Sequence, residues 1–392
     1  MNIRLSKRIQ ETGTYAFAAI DEKVAFLQSQ GVEVIDFGVG DPKSPPPSFV
    51  IENLNTAAEK RKASGYPSYI GSPDFRQACT DYMQREFNVT LDPETEICST
   101  IGSKEAVFNF PLTLVDQGDI VICPSPGYPP YRKGTQFAGG QVYTLPLLEE
   151  NHYLMDYASV PQDICDRAKI IWINYPNSPT GAVATDQWYK GLIAWARKNN
   201  IVIAADEGCY IEIYFDEKPK SILEFGKEGI ITFYSMSKRN NMTMFRIGFV
   251  AGDEKIVSAF KKVKTNIDSG TPTFIQDVSI MALEDTSHIM QMRNEYAQKR
   301  KILLDAFASR GLPRCQSAST FYLWQKAPEG KSGEDLANTL VDIGIVAIPG
   351  AAISHPTDEG INPGEQFIRL ALVPTMEEIM EAADRIVHRL TI

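Results

Sequence analysis

Apolar residues in the middle of the chain fall into short β-branched runs separated by longer segments with helical spacing. The runs Asp119–Cys123, Gln141–Leu145, Lys169–Asn174, Ile201–Ala205, Ile230–Tyr234 and Ile247–Ala251 read as strands. Between two of them, Thr185–Lys198 places its apolar residues at the intervals of an amphipathic helix. Near-continuous apolar strands alternating with such helices predict a mostly parallel sheet covered on both faces. Further on, Ser287–Arg310 reads as one long helix. It is followed by strand-like Ser319–Gln325, a helix near Gly333–Ile343, strand-like Ile345–Pro349 and Gln366–Leu372, and a C-terminal helix from Thr375. A helix near Ala19–Gln30 and a strand at Val34–Phe37 are expected to join this second unit. The predicted class is α/β: a large domain over residues 45–285 and a smaller α+β domain from 1–44 and 286–392.

Composition narrows the field. At 392 residues the chain exceeds one small core, and 43% hydrophobic with 22% charged residues is ordinary for a globular protein. A net charge of −10 without a basic run argues against nucleic acid as a partner. The 6 cysteines are scattered with no Cys-x-x-Cys pair, which predicts free thiols and a cytoplasmic protein. Met1–Arg8 holds no apolar signal core, and no run approaches membrane-span length. The 4 histidines lie far apart, so neither a metal site nor a serine–histidine triad is expected.

Candidate chemistry centres on Ser235-Met236-Ser237-Lys238, with Arg246 following in Asn241-Met242-Thr243-Met244-Phe245-Arg246. The lysine comes just after an apolar strand, in the loop at its carboxyl end, where α/β sheets bind ligands. An amine able to form an imine, beside hydroxyls and a guanidinium for an anion, is what pyridoxal phosphate requires. Taken singly the pattern also fits a plain polar loop. Four other segments add to it. Asp206 ends the strand Ile201–Ala205, where a carboxylate could pair with a pyridine nitrogen or merely cap a helix. Asn174-Tyr175-Pro176-Asn177-Ser178-Pro179-Thr180-Gly181 is a rigid turn in which an X-Pro bond could be cis. Ile101-Gly102-Ser103-Lys104-Glu105-Ala106 opens a helix whose free N–H groups suit phosphate. Pro126-Gly127-Tyr128-Pro129-Pro130-Tyr131 would present a ring for stacking.

These motifs, in this order and at these intervals, resemble the fold-type-I, class I/II pyridoxal-phosphate-dependent aminotransferases over essentially the whole chain. The resemblance implies an aspartate-aminotransferase-like fold and a homodimer with shared active sites, with neither nucleic acid nor membrane as partner. It implies that Lys238 forms the imine, Asp206 pairs with the pyridine nitrogen, Tyr128 stacks on the ring and Tyr210 approaches the phenolic oxygen. Ser103, Lys104, Ser235, Ser237 and Arg246 would surround the phosphate, joined by Tyr66 from the partner subunit. Arg369 would clamp the substrate's α-carboxylate, with Gly40 and Tyr15 at the substrate side.

Three departures from the family pattern stand out. Ser178 occupies the place where an asparagine usually contacts the phenolic oxygen, with Asn177 one residue earlier. Asp206 and Tyr210 are four apart where the family has three, so that Glu207 holds the usual interval and an extra residue, Gly208, would bulge the loop. Met244 stands where glycine is common, which would narrow the pocket. Within the family, Tyr15–Asp21, Asp36–Pro42 and Asn266–Thr271 resemble the diaminopimelate aminotransferases of lysine biosynthesis. The implied reaction is ping-pong transfer between LL-diaminopimelate, or its N-succinyl form, and 2-oxoglutarate. The alternatives are an aspartate-, alanine-, aromatic- or methionine-type enzyme, or a C–S β-lyase on the same scaffold.

Overall fold

The computed structural model describes residues 3–10, 18–315 and 317–391. In chain order its strands are β1 (Ile35–Asp36), β2 (Ile97–Thr100), β3 (Ile120–Ser125), β4 (Gln141–Pro146), β5 (Ala168–Ile173) and β6 (Val202–Gly208). They continue with β7 (Ile230–Ser235), β8 (Gly248–Gly252), β9 (Tyr322–Lys326), β10 (Ile345–Val346), β11 (Ile348–Pro349) and β12 (Phe367–Ala371). Seven of them form one sheet in the order β2-β8-β7-β6-β5-β3-β4. The strands from β3 to β7 run parallel; β8 runs antiparallel to β7, and β2, antiparallel to β8 at the edge, points the same way as the parallel strands.

The reason for this sheet is visible in β5. Ile170 and Trp172 pack into one apolar cluster, and Ile171 and Ile173 into another on the opposite face. Alternate side chains thus serve two cores, which is why the run is apolar throughout. Each such side chain contributes about 1.5–3 kcal/mol by leaving water. The helix Asp186–Lys198 covers the sheet, with Thr185 accepting a capping hydrogen bond from Trp188 N.

All six strands expected for the large sheet are present. β2 was not anticipated. Half of its Ile-Cys-Ser-Thr sequence is polar, yet all four residues are buried where the strand pairs with β8. The single strand expected at Ile345–Pro349 is two. β10 pairs in parallel with β1, whereas β11 pairs with β12 in a separate sheet ordered β11-β12-β9. A cluster of buried residues joins β1, β9, β10 and β12 to the helices Ser287–Ser309 and Met376–Arg389. Among the described residues no helix is long and apolar enough to cross a membrane, and no cluster of metal-ligating side chains occurs.

Candidate active site

β3, β5, β6 and β7 all end on one edge of the sheet, and the winding reverses between β5 and β3. A ligand crevice belongs at that point, and a cavity of about 500 Å³ opens there.

Asp206 reaches the cavity from β6. An aromatic stack fixes it: Tyr131 lies 4.6 Å from Trp172 with the rings nearly parallel, and Tyr131 Oη donates to Asp206 Oδ2 at 2.8 Å. Asn174 Nδ2 donates to the Asp206 carbonyl. Asp206 Oδ1 is buried and makes no hydrogen bond of regular geometry. Burial raises the carboxyl to about 6, with the Tyr131 hydroxyl and the neighbouring Cys209 thiol pulling it partly back.

The extra residue between Asp206 and Tyr210 is a β-bulge. Ala205 pairs with Thr232 and Gly208 with Tyr234, so three steps on β6 match two on β7. A Cβ on Gly208 would lie 2.2 Å from Tyr234 Cδ1, so the bulge closes only around a glycine. The bulge sends Asp206 to the cavity and Glu207 to the opposite face. There the Glu207 carboxylate accepts from Ser221 Oγ, from Tyr234 Oη at 2.6 Å and from Ile222 N at 3.1 Å.

Lys238 follows β7 on the short helix Met236–Arg239, capped by Ser235. Its Nζ donates to the Gly40 carbonyl. Burial lowers its pKa below that of an ordinary lysine; Arg246 and Arg369 act the same way against Asp41. Ser235, Ser237, Arg246, Ser103 and Lys104 line the cavity beside it. Arg246 Nη1 donates to Ser237 Oγ at 3.3 Å, and Ser103 Oγ lies 3.4 Å from Cys209 Sγ. Together they form a hydroxyl and guanidinium cup.

Tyr128 and Tyr210 also line the cavity, as do Gly40 and the buried Arg369 from the second sheet. Arg369 Nη2 donates to the Gly38 carbonyl at 2.6 Å. Of the Asn177–Ser178 pair, Ser178 lines the cavity. Asn177 does not: it folds back into its own turn, accepting from Thr180 Oγ1 at 2.7 Å and donating to the Asn174 carbonyl at 3.1 Å. Asn174, which the motif contained but to which no role was attached, takes the cavity position instead. Tyr175–Pro176 and Ser178–Pro179 are cis. Met244 is 82% exposed and away from the cavity lining, so it does not narrow the pocket: the turn Thr243–Phe245 points it outward. Tyr66 is 87% exposed and does not line the pocket of its own chain. Tyr15 lies outside the described residues.

A family model described as aminotransferase class I and II matches residues 32–386. The chain belongs to this family. An LL-diaminopimelate aminotransferase of Aquifex aeolicus is 44% identical over 386 residues, covering 97% of this chain and 98% of the relative. Among solved structures, apo-BacF of Bacillus subtilis matches with a TM-score of 0.90 at 29% identity, covering 100% of this chain and 99% of its own. A probable N-succinyldiaminopimelate aminotransferase of Thermus thermophilus matches with a TM-score of 0.87 at 28% identity, covering 95% of this chain and 99% of its own.

Class I and II aminotransferases depend on pyridoxal phosphate, and the cavity suits it. The buried, unmatched Asp206 Oδ1 fits a cationic N–H donor, the cup fits a phosphate, and Lys238 lines the same cavity. Motif reading missed Tyr131, which holds Asp206, and Cys209 and Tyr322 on the cavity wall. Tyr131 stood within the Pro-Gly-Tyr-Pro-Pro-Tyr segment, and its spacing from Tyr128 was the available signal. Tyr322 lies in an apolar strand and gave none.

Proposed function

We propose that this aminotransferase takes LL-diaminopimelate as amino donor and 2-oxoglutarate as acceptor in a ping-pong cycle. The observation that carries the donor is the 44% identity over nearly the whole chain to a relative named for it. Pyridoxal phosphate, when bound, supplies the electron sink that acidifies the amino acid's α-hydrogen. The chain's own residues do the rest. Lys238 would hold the cofactor through Nζ and would carry the proton at the substrate's α-carbon; its lowered pKa suits a base. Asp206, whose Oδ1 is buried without a regular hydrogen bond, would pair with the ring nitrogen and stabilise its charge. Tyr128, Tyr210 and Ser178 line the cavity; Tyr128 would stack on the ring, and Tyr210, with Ser178, would meet the phenolic oxygen. Ser103, Lys104, Ser235, Ser237 and Arg246 take the phosphate, and Arg369 takes the α-carboxylate as a planar fork.

In the same proposal residues 45–285 supply the cofactor side, and the unit of 1–44 and 286–392 supplies Gly40 and Arg369. The exposed Tyr66 supports a homodimer in which it completes the partner's phosphate cup. The free cysteines support a cytoplasmic setting.

The test is Lys238→Ala. It is expected to retain the fold, lose the visible absorbance of the bound cofactor and lose turnover of LL-diaminopimelate. Full activity in that variant would sink the mechanism. Bleaching of the wild-type enzyme by other amino acids but not by LL-diaminopimelate would remove the donor while keeping the chemistry.

A further inference from the structure

Tyr322 is the first residue of β9 and is 4% exposed, with its side chain on the cavity wall. It touches three parts of the site at once. Its Oη lies 3.2 Å from Tyr210 Oη. The Arg369 guanidinium carbon sits 4.6 Å from its ring centroid. A Cβ on Gly40 would come within 2.0 Å of its Oη, so the hydroxyl is packed directly on the backbone whose carbonyl accepts from Lys238.

Its own position is well determined. Its N–H donates to Thr320 Oγ1 at 3.2 Å, and its carbonyl accepts from Ser317 Oγ at 3.0 Å. It pairs with Ala371 on β12, the strand that carries Arg369, and its ring packs 4.7 Å from Phe321. A ring held this firmly sets the plane of the guanidinium above it. A tyrosine hydroxyl has one proton to give. If Tyr210 gives its proton to the cofactor's phenolic oxygen, Tyr322 must be the donor in the pair, which fixes the rotor of Tyr210 and strengthens its bond.

We propose that Tyr322 is a positioning residue with two separable parts: its ring sets Arg369 for the substrate carboxylate, and its hydroxyl sets Tyr210 for the cofactor's phenolic oxygen. This inference rests on the assignments of Arg369 and Tyr210 made above.

Two variants of the cofactor-loaded enzyme test it. Tyr322→Phe keeps the ring and removes the hydroxyl. It is expected to lower kcat roughly three- to tenfold with KM within about twofold, the effect of one hydrogen bond. It also raises the pH midpoint of the bound cofactor's absorbance change by about half a unit, because the phenolic oxygen loses a well-directed donor. Tyr322→Leu removes the ring as well and is expected to raise KM for the amino donor about three- to thirtyfold. A wild-type absorbance midpoint and kcat in Tyr322→Phe would overturn the hydroxyl's part, and an unchanged KM in Tyr322→Leu would overturn the ring's. Visible absorbance persisting in Lys238→Ala would instead overturn the underlying reading, whatever Tyr322 does.

Discussion

Asp206 and Glu207 are neighbours in sequence and opposites in surroundings. On the cavity side, Asp206 keeps one buried oxygen without a regular hydrogen bond. On the far side of the same bulge, Glu207 has three donors on its two oxygens. Lys238 and Arg239 repeat the contrast. Among the described residues Lys238 forms no ion pair; its amine donates to a backbone carbonyl and lies 5.9 Å from the centroid of the Phe321 ring. Arg239, the more deeply buried of the two, donates from Nε to Glu212 at 2.9 Å, from Nη1 to Asn240 and Ala282, and from Nη2 to Leu283 and Asp285. Glu212 in turn accepts from Tyr82 at 2.6 Å. Buried charge at the back is matched and ties the Lys238 helix to its neighbours. Buried charge at the front is left with capacity to spare, which a ligand can take up.

Breaking the matched side should have the largest effect on stability. Arg239→Met leaves Glu212 buried and uncompensated, and is expected to cost about 3–5 kcal/mol in urea unfolding. The double variant Arg239→Met with Glu212→Met should recover most of that. Lys238→Met removes a desolvated amine that forms no ion pair among the described residues and should leave the cofactor-free protein at least as stable as wild type. If it unfolds as readily as Arg239→Met, front and back do not differ in the way described.

A smaller effect separates the two faces by pH. Burial raises Asp206 from 3.8 to about 6, so between those values the folded state holds a proton that the unfolded chain has released. Stability of the cofactor-free protein therefore falls as pH rises through this window, by roughly 3 kcal/mol at 1.36 per unit. Below the window the penalty is absent; above it the penalty is complete. A cationic ring nitrogen on Oδ1 removes the penalty, so the loaded protein should lack this slope, and Asp206→Asn should flatten it in the cofactor-free protein. Identical pH profiles with and without cofactor would deny Asp206 its proposed partner.

How much of this could be read beforehand differs between the faces. The strands of the large sheet were legible because burial on both faces demands unbroken apolar runs. Most cavity residues were legible because loops at strand ends carry recognisable polar motifs. Choosing Asp206 over Glu207 was harder. Successive residues on a strand face opposite ways, and the bulge decides which of them meets the cavity. That register depends on Tyr234 closing over Gly208, a contact between strands that spacing along one chain does not contain. Tyr322 was illegible for a related reason: inside an apolar strand, a tyrosine that packs and one that positions have the same neighbours in sequence. Asn177 misled because a turn asparagine can serve its own backbone as readily as a ligand.

The smallest predicted effect is the most exacting test of the comparison. Burial also raises Glu207, from 4.5 to about 7, with Ser221, Tyr234 and Ile222 holding it partly down. It too makes the folded state lose stability as pH rises, here between 4.5 and about 7. Glu207→Gln should remove that slope. Because Glu207 faces away from the cavity, the change should be the same with and without cofactor, to within about 0.5 kcal/mol, the margin for sites that do not couple. Asp206→Asn should show the opposite behaviour, with an effect that depends on the cofactor. A difference well above about 1 kcal/mol for Glu207→Gln would mean that the bulge passes charge from one face of the sheet to the other. The hydrogen bonds from Tyr234 and Ser221 would then be part of how Asp206 is tuned, and not only of how the sheet edge is held.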